Sequence, residues 1–276
     1  MLKPMFAYQG GKTKVSDKIC DVFFERHGSD FTFADVCCGG GSVSINLVSK
    51  GLHPENIYMF DAGAIGAFWQ QVSEGSFDLE YFEYLIDKIP KDLELVKGFM
   101  EDVSKIEYDY VGEVISEYLI LQASSFGGKQ IYDLGNKFGN TSFRNYWKPT
   151  ETSSRKSPVN PMMPMPNTLS SRVKDIVEIM QPIKAAHTYA EHIDFSKIKT
   201  NKDLVVYIDP PYKGTTGYKD TVDLDNVIKS AKSVGATVYV SEYYSLSDDF
   251  IVLSNTKKGG ISGDRKGDMV EYLSVI

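Results

Sequence analysis

A strand, a run of glycines, a helix and a second strand follow one another between Phe31 and Asp61, and this order constrains the fold more than any other feature. Phe31 to Val36 is an apolar-rich run of strand length. Gly39-Gly40-Gly41 follow it, Ser42 to Lys50 fits a helix with Ser42 as its cap, and Ile57 to Phe60 is a second apolar run ending at Asp61. A strand–glycine loop–helix–strand unit opens a parallel sheet, so an α/β fold is expected. The sheet resumes at Leu204 to Ile208 and at Thr237 to Ser241, with a helix near Leu224 to Val234 between them. Ile251 to Leu253 and Met269 to Val275 read as strands flanking a hairpin loop.

The region between these sheet segments is different. Leu79, Phe82, Leu85 and Ile86 give Phe77 to Lys88 helical spacing, and Val114, Ile115, Tyr118, Leu119 and Leu121 do the same for Glu113 to Ser124. From Phe126 to Pro166 the pattern fails among Gly, Asn, Ser, Thr and Pro with aromatics interleaved, and a stretch of that length inside a compact domain is usually functional or disordered. Asn167 then caps an expected helix containing Val173, Ile176, Val177 and Met180.

The chemistry concentrates at strand ends. Leu204 to Ile208 ends in Asp209-Pro210-Pro211-Tyr212. The prolines stop the strand and remove two backbone donors, leaving free carbonyls at the edge where open α/β sheets place their ligands. An exocyclic amine needs such acceptors and a flat base needs a ring to stack on, so the motif reads as an amino-methylation site on a nucleobase. A chance strand-end turn is the alternative. At the first strand, Asp35-Val36-Cys37-Cys38-Gly39-Gly40-Gly41 offers a tight turn, close backbone approach and the free amides of a following helix. The third glycine of a dinucleotide fingerprint is absent, with Val43 and Ser44 in its region, so a ligand without phosphate such as S-adenosylmethionine fits better. Asp61 stands about twenty residues on, where a carboxylate can accept two ribose hydroxyls or simply cap a helix. Near the amino terminus, Tyr8-Gln9-Gly10-Gly11-Lys12 could present Tyr8 and Lys12 to a ligand, although alone it reads as a surface turn.

Composition bounds the partners. The net charge is −7, which argues mildly against nucleic acid, but its distribution is uneven. Gly127 to Lys174 carries eight basic residues against Asp133 and Glu151, whereas Glu74 to Glu117 carries thirteen acids against four lysines. One face could meet phosphate while the other meets solvent, or both could simply be solvated. Three cysteines, two of them adjacent, suggest reduced thiols and a cytosolic setting, and none has zinc-ligand spacing. No run reaches the roughly 20 apolar residues of a membrane helix.

Taken in order, the aromatic-x-Gly-Gly-Lys segment, the Asp35 to Ser44 loop, Asp61 and Asp209-Pro210-Pro211-Tyr212 resemble the Dam-type, D12 class DNA adenine methyltransferases over nearly the whole chain. Ser125-Phe126-Gly127-Gly128-Lys129, Asn136 to Asn140 and His192-Ile193-Asp194-Phe195 are similar to further family segments. Asp61-Ala62-Gly63 departs from the Asp-x-Asn that the family often has.

The resemblance implies a Rossmann-like S-adenosylmethionine-dependent methyltransferase fold, mostly parallel with a C-terminal antiparallel hairpin. Residues 1–62 and 187–276 would form the catalytic domain and 63–186 an inserted helical and loop target-recognition subdomain. It implies S-adenosylmethionine as cofactor, held by Tyr8, Lys12, Asp35, Cys37, Gly39, Asp61, Asp194 and Asp209. Catalysis would fall to Asp209, Pro210, Pro211 and Tyr212 acting on an adenine flipped out of double-stranded DNA. Contacts to that DNA are expected from Lys129, Lys137, Asn140, Arg144 and Lys148, with Lys257, Lys258, Arg265 and Lys266 as a second basic group. A monomer or weak dimer in the cytoplasm of a prokaryote or a phage-infected cell is expected. An adenine in RNA, another amino acceptor, or a catalytically silent DNA-binding relative stay open as alternatives. A nucleotide-dependent oxidoreductase is disfavoured by the glycine spacing.

Overall fold

In a computed structural model of the chain, residues 2–212, 221–257 and 268–276 are described. The expected parallel sheet is present. It has seven strands: β1 (Thr32–Val36), β2 (Ile57–Asp61), β5 (Lys184–His187), β6 (Leu204–Ile208), β7 (Thr237–Glu242), β8 (Phe250–Lys257) and β9 (Asp268–Val275), in spatial order β5-β2-β1-β6-β7-β9-β8. The first five run parallel, with Phe33 opposite both Ile57 and Val205, and Val206 opposite Val238. β9 enters antiparallel to β7 and pairs with β8 as the C-terminal hairpin. The chain runs outward from β1 to β2 and β5, then returns to β6 on the other side of β1. The carboxyl ends of β1 and β6 therefore border a topological switch point, where such sheets leave a crevice.

The strand period of two sorts the side chains into two cores. Phe33, Val205, Tyr207 and Tyr239 face one side, packing with Ile19 and Phe23 of α1 (Ser16–His27), Ile45 of α2 (Ser42–Ser49) and Phe68 and Trp69 of α3 (Ala64–Glu74). Ala34, Val36, Val206, Ile208, Val238 and Val240 face the other, against Val227 and Ala231 of α8 (Leu224–Ser233). Burial on both faces explains why β1 and β6 are apolar throughout rather than alternating.

The remaining elements lie between α3 and β5. They are α4 (Leu79–Lys88), whose Tyr81 amide donates to the capping Asp78 carboxylate, α5 (Val96–Val103), the wholly buried α6 (Ile115–Ser124) and α7 (Pro166–Met180). Residues 126–165 form little regular structure beyond the two-residue strands β3 (Tyr132–Asp133) and β4 (Phe138–Gly139). No described helix is long and apolar enough to cross a membrane.

Two expected caps are corrected. Gly41, in the left-handed region at φ 67°, precedes α2 as its cap, and Ser42 Oγ instead accepts the Lys12 amide at 3.1 Å. α7 begins at Pro166 with Met165 before it, so Asn167 lies inside the first turn; a proline at the first helical position costs nothing because its missing N–H would be unpaired there. The strand β5 carries no signal in sequence. It is a four-residue edge strand, Lys184-Ala185-Ala186-His187, without the β-branched residues that mark strands, and it is held by its pairing to β2.

Candidate active site

The carboxyl ends of β1, β2, β6 and β7 surround a cavity of about 670 Å³. Its floor is the turn after β1. Cys37 (φ 60°), Gly39 (φ 49°) and Gly41 all lie in the left-handed region. The turn is pinned from both sides: the Cys38 amide donates to the Phe60 carbonyl at 3.1 Å, and Trp69 Nε1 donates to the Gly39 carbonyl at 2.9 Å. A methyl group on Gly39 would stand 2.9 Å from the Tyr8 ring, and one on Gly41 would stand 2.5 Å from Trp69. These glycines are therefore required by packing beneath the cavity as much as by what enters it.

Asp61 closes the second side. Its Oδ2 accepts the Gly39 amide and its Oδ1 the Gly63 amide, each at 2.8 Å. Burial raises its pKa, and those two amides oppose the rise. Deeper still, Asp35 is 2% exposed and accepts a hydrogen bond from Ser44 Oγ at 2.6 Å. Burial lifts its carboxyl to about 7 despite that bond.

The third side is the strand-end motif. The Asp209 amide donates to the Val36 carbonyl at 3.1 Å, which fastens the motif to β1. Lys12 Nζ lies 2.6 Å from Asp209 Oδ1, 3.3 Å from Glu271 Oε1 and 4.6 Å from the centre of the Tyr212 ring. The approach to Asp209 is close enough for an ion pair with that buried oxygen. Burial pushes the Asp209 carboxyl up to about 6, with Lys12 opposing. Burial works against the charge on Lys12, but Asp209 and Glu271 outweigh it and hold the ammonium protonated. The Tyr212 hydroxyl donates to Glu271 Oε1 at 2.6 Å, and its ring meets Tyr243 edge-on at 4.5 Å.

The structure thus gathers Tyr8, Lys12, Asp35, Cys37, Gly39, Asp61, Asp209, Pro210, Pro211 and Tyr212 around one cavity. Asp194 is not among its lining residues. Its carboxylate turns back on its own chain, accepting from the Ser196 amide at 3.2 Å and Ser196 Oγ at 2.6 Å as the cap of a short 3-10 turn. The wall expected of it is formed instead by Thr188 to Glu191, which follow β5.

Among the expected DNA contacts, Lys129, Lys148 and the half-buried Arg144 lie on the irregular segment, and Lys129 adjoins Gln130 of the cavity wall. Lys137 belongs to the same segment but does not line the cavity, sharing instead a shallow depression with Glu101 and Glu107. Asn140 adopts φ 56° and donates its side-chain amide to the Gln130 carbonyl at 2.7 Å. Lys258, Arg265 and Lys266 lie outside the described residues, and Lys257 ends β8.

The sequence model of the D12 class N6 adenine-specific DNA methyltransferases matches residues 8–250. The chain belongs to this family. The enzyme methylates adenine in DNA, and the family takes its methyl group from S-adenosylmethionine. No curated protein matches the chain. Motif reading missed Gln130 and Tyr243, which line the cavity, and Glu271, which touches its Lys12 and Tyr212. Glu271 carries one legible signal: it shares its face of β9 with Met269, Leu273 and Val275, where alternation calls for an apolar residue.

Proposed function

We propose that this chain transfers a methyl group to the exocyclic amine of an adenine flipped out of duplex DNA, with S-adenosylmethionine held in the cavity by Tyr8, Asp35, Cys37, Gly39 and Asp61. One observation carries the assignment of the ligand. Asp35, Asp61 and Asp209 face the cavity with Lys12, whose charge is already shared by Asp209 and Glu271. A cavity of that sign suits a cationic ligand and opposes a pyrophosphate. Asp61, with each oxygen holding one amide and a second lone pair free, is equipped to take ribose hydroxyls.

S-adenosylmethionine supplies a methyl group already activated on a sulfonium, so the protein's task is positioning. The Asp209 carboxylate and the Pro210 carbonyl accept hydrogen bonds from the target amine. They draw its nitrogen toward tetrahedral geometry as the N–C bond forms and the C–S electrons return to sulfur. The methylated nitrogen then releases one proton to solvent. Tyr212 offers its ring to the extruded base; such stacking is worth roughly 1–3 kcal/mol, against a flipping cost of a few kcal/mol.

Within 63–186, α3 packs on β2 and β5, so target recognition is proposed for the elements between α3 and β5, with Lys129, Arg144 and Lys148 meeting phosphate. The test is transfer of labelled methyl from S-adenosylmethionine to unmethylated duplex DNA, followed by nucleoside analysis. Label in N6-methyl-2′-deoxyadenosine is expected, and mapping it gives the recognition sequence. Cofactor binding with no label in DNA would overturn the proposal.

A further inference from the structure

We propose that Glu271 is a positioning residue for methyl transfer, a carboxylate on β9 that fixes the plane of the Tyr212 ring and shares the Lys12 charge with Asp209. The proposal rests on the reading of Tyr212 as the stacking ring. Glu271 lies beyond the matched segment 8–250.

The geometry is specific. Glu271 is 15% exposed, and Oε1 takes both the Tyr212 hydroxyl at 2.6 Å and Lys12 Nζ at 3.3 Å, while Oε2 takes Ser254 Oγ at 3.3 Å. Pro210 and Pro211 restrict the backbone just before Tyr212, so the ring's remaining freedom is in its side-chain torsions. The hydroxyl tether at its far end and Tyr243 at its edge remove that freedom. A ring held in one plane is ready to receive a base without first losing rotamer entropy.

Packing alone does not explain a carboxylate here. Leu273 and Val275, on the same face of β9, pack into the core below the sheet, and an apolar side chain at position 271 would continue that surface. Burying a carboxylate is costly unless it is paired, and these three partners come from the amino-terminal turn, the strand-end motif and β8. Glu271 also balances charge. Asp209 and Glu271 together outweigh Lys12 by one negative charge, so Asp209 keeps acceptor character while Lys12 stays on it.

The experiment compares Glu271→Gln, Glu271→Ala, Tyr212→Phe, Tyr212→Ala and the double variant Tyr212→Phe/Glu271→Ala on a duplex carrying the mapped site. It reads the single-turnover methylation rate, the dissociation constant for S-adenosylmethionine, and the fluorescence of 2-aminopurine placed at the target adenine. Glu271→Ala and Tyr212→Phe should each lower the rate about tenfold, the scale of one lost buried hydrogen bond to a charged group. Cofactor affinity should stay within about twofold, since Tyr212 is proposed to meet the base. The double variant should be no slower than the slower single variant, and Glu271→Gln, whose amide oxygen can still accept from Tyr212, should recover most of the rate. Additive losses, or an equal loss of cofactor binding, would overturn the proposal. If Glu271→Ala does not fold, Glu271→Gln and Tyr212→Phe still decide it, because an unchanged rate in Tyr212→Phe sinks the tether. Tyr212→Ala separates the two levels. If it leaves the fluorescence and rate intact, the stacking reading itself fails; if it abolishes both while Tyr212→Phe and Glu271→Ala do not, only the role of Glu271 fails.

Discussion

Asp209 is useful to an incoming amine only as a carboxylate, and burial lifts its pKa to about 6. The single-turnover rate should therefore fall as pH drops through about 6 and level off above it, and Asp209→Asn should lower the plateau by at least about a hundredfold, the scale of a lost transition-state acceptor. Asp35 behaves differently because its pKa, raised from 3.8 to about 7, is a statement about stability as well as binding. The folded chain holds the Asp35 proton over a range in which the unfolded chain has released it. Its stabilising contribution is fully present below the unfolded value and is lost as pH rises through about 7. In cofactor-free protein, Asp35→Asn should shrink the drop in Tm between pH 5 and pH 8, as measured by scanning calorimetry. A cationic ligand favours the ionised forms of both acids, so S-adenosylmethionine should bind more tightly at pH 8 than at pH 5.5 by titration calorimetry, and Asp35→Asn should flatten that trend.

At the scale of elements, the site depends on how closely α3 approaches the end of β2. A methyl group on Gly66 would lie 2.1 Å from the Asp61 carbonyl, a backbone atom that cannot swing aside. Gly66→Ala should therefore destabilise the chain by roughly 1–3 kcal/mol in urea unfolding and weaken cofactor binding through Asp61. Nothing in the sequence marks Gly66 for this role, because the contact joins a helix to the strand before it. The strands β1, β6 and β7 were legible, since burial on two faces demands continuous apolar runs. The cap of α2 was not. A serine after three glycines has the composition of a cap, but the left-handed turn at Gly41 settles the start of the helix and leaves Ser42 to hold the amide of Lys12.

Across the whole molecule, charge is segregated, but not as the linear count suggests. Lys174 pairs with Glu83 at 2.7 Å, Arg172 donates to the Pro4 carbonyl at 3.0 Å, and Lys137 lies beside Glu101 and Glu107. Lys129 and Lys148 are exposed and carry no such partner among the described residues. DNA affinity should fall steeply with salt. Lys129→Ala and Lys148→Ala should each reduce the slope of log affinity against log salt by about one, whereas Lys137→Ala should leave it unchanged. A flat salt response in the parent enzyme would count against phosphate contacts on this segment.

The sequence by itself determined the parallel sheet, the glycine turn and the strand-end acid with its prolines and tyrosine. Each is a local consequence of burial or backbone geometry, written in neighbouring residues. Only the tertiary structure decided that Lys12 would sit between Asp209 and Glu271 and that β5 would be a strand. Those outcomes depend on groups from 59 to 259 residues apart in the chain meeting in a low-dielectric space, or on an edge that pairing supplies. No local pattern encodes which distant partner a charge will find.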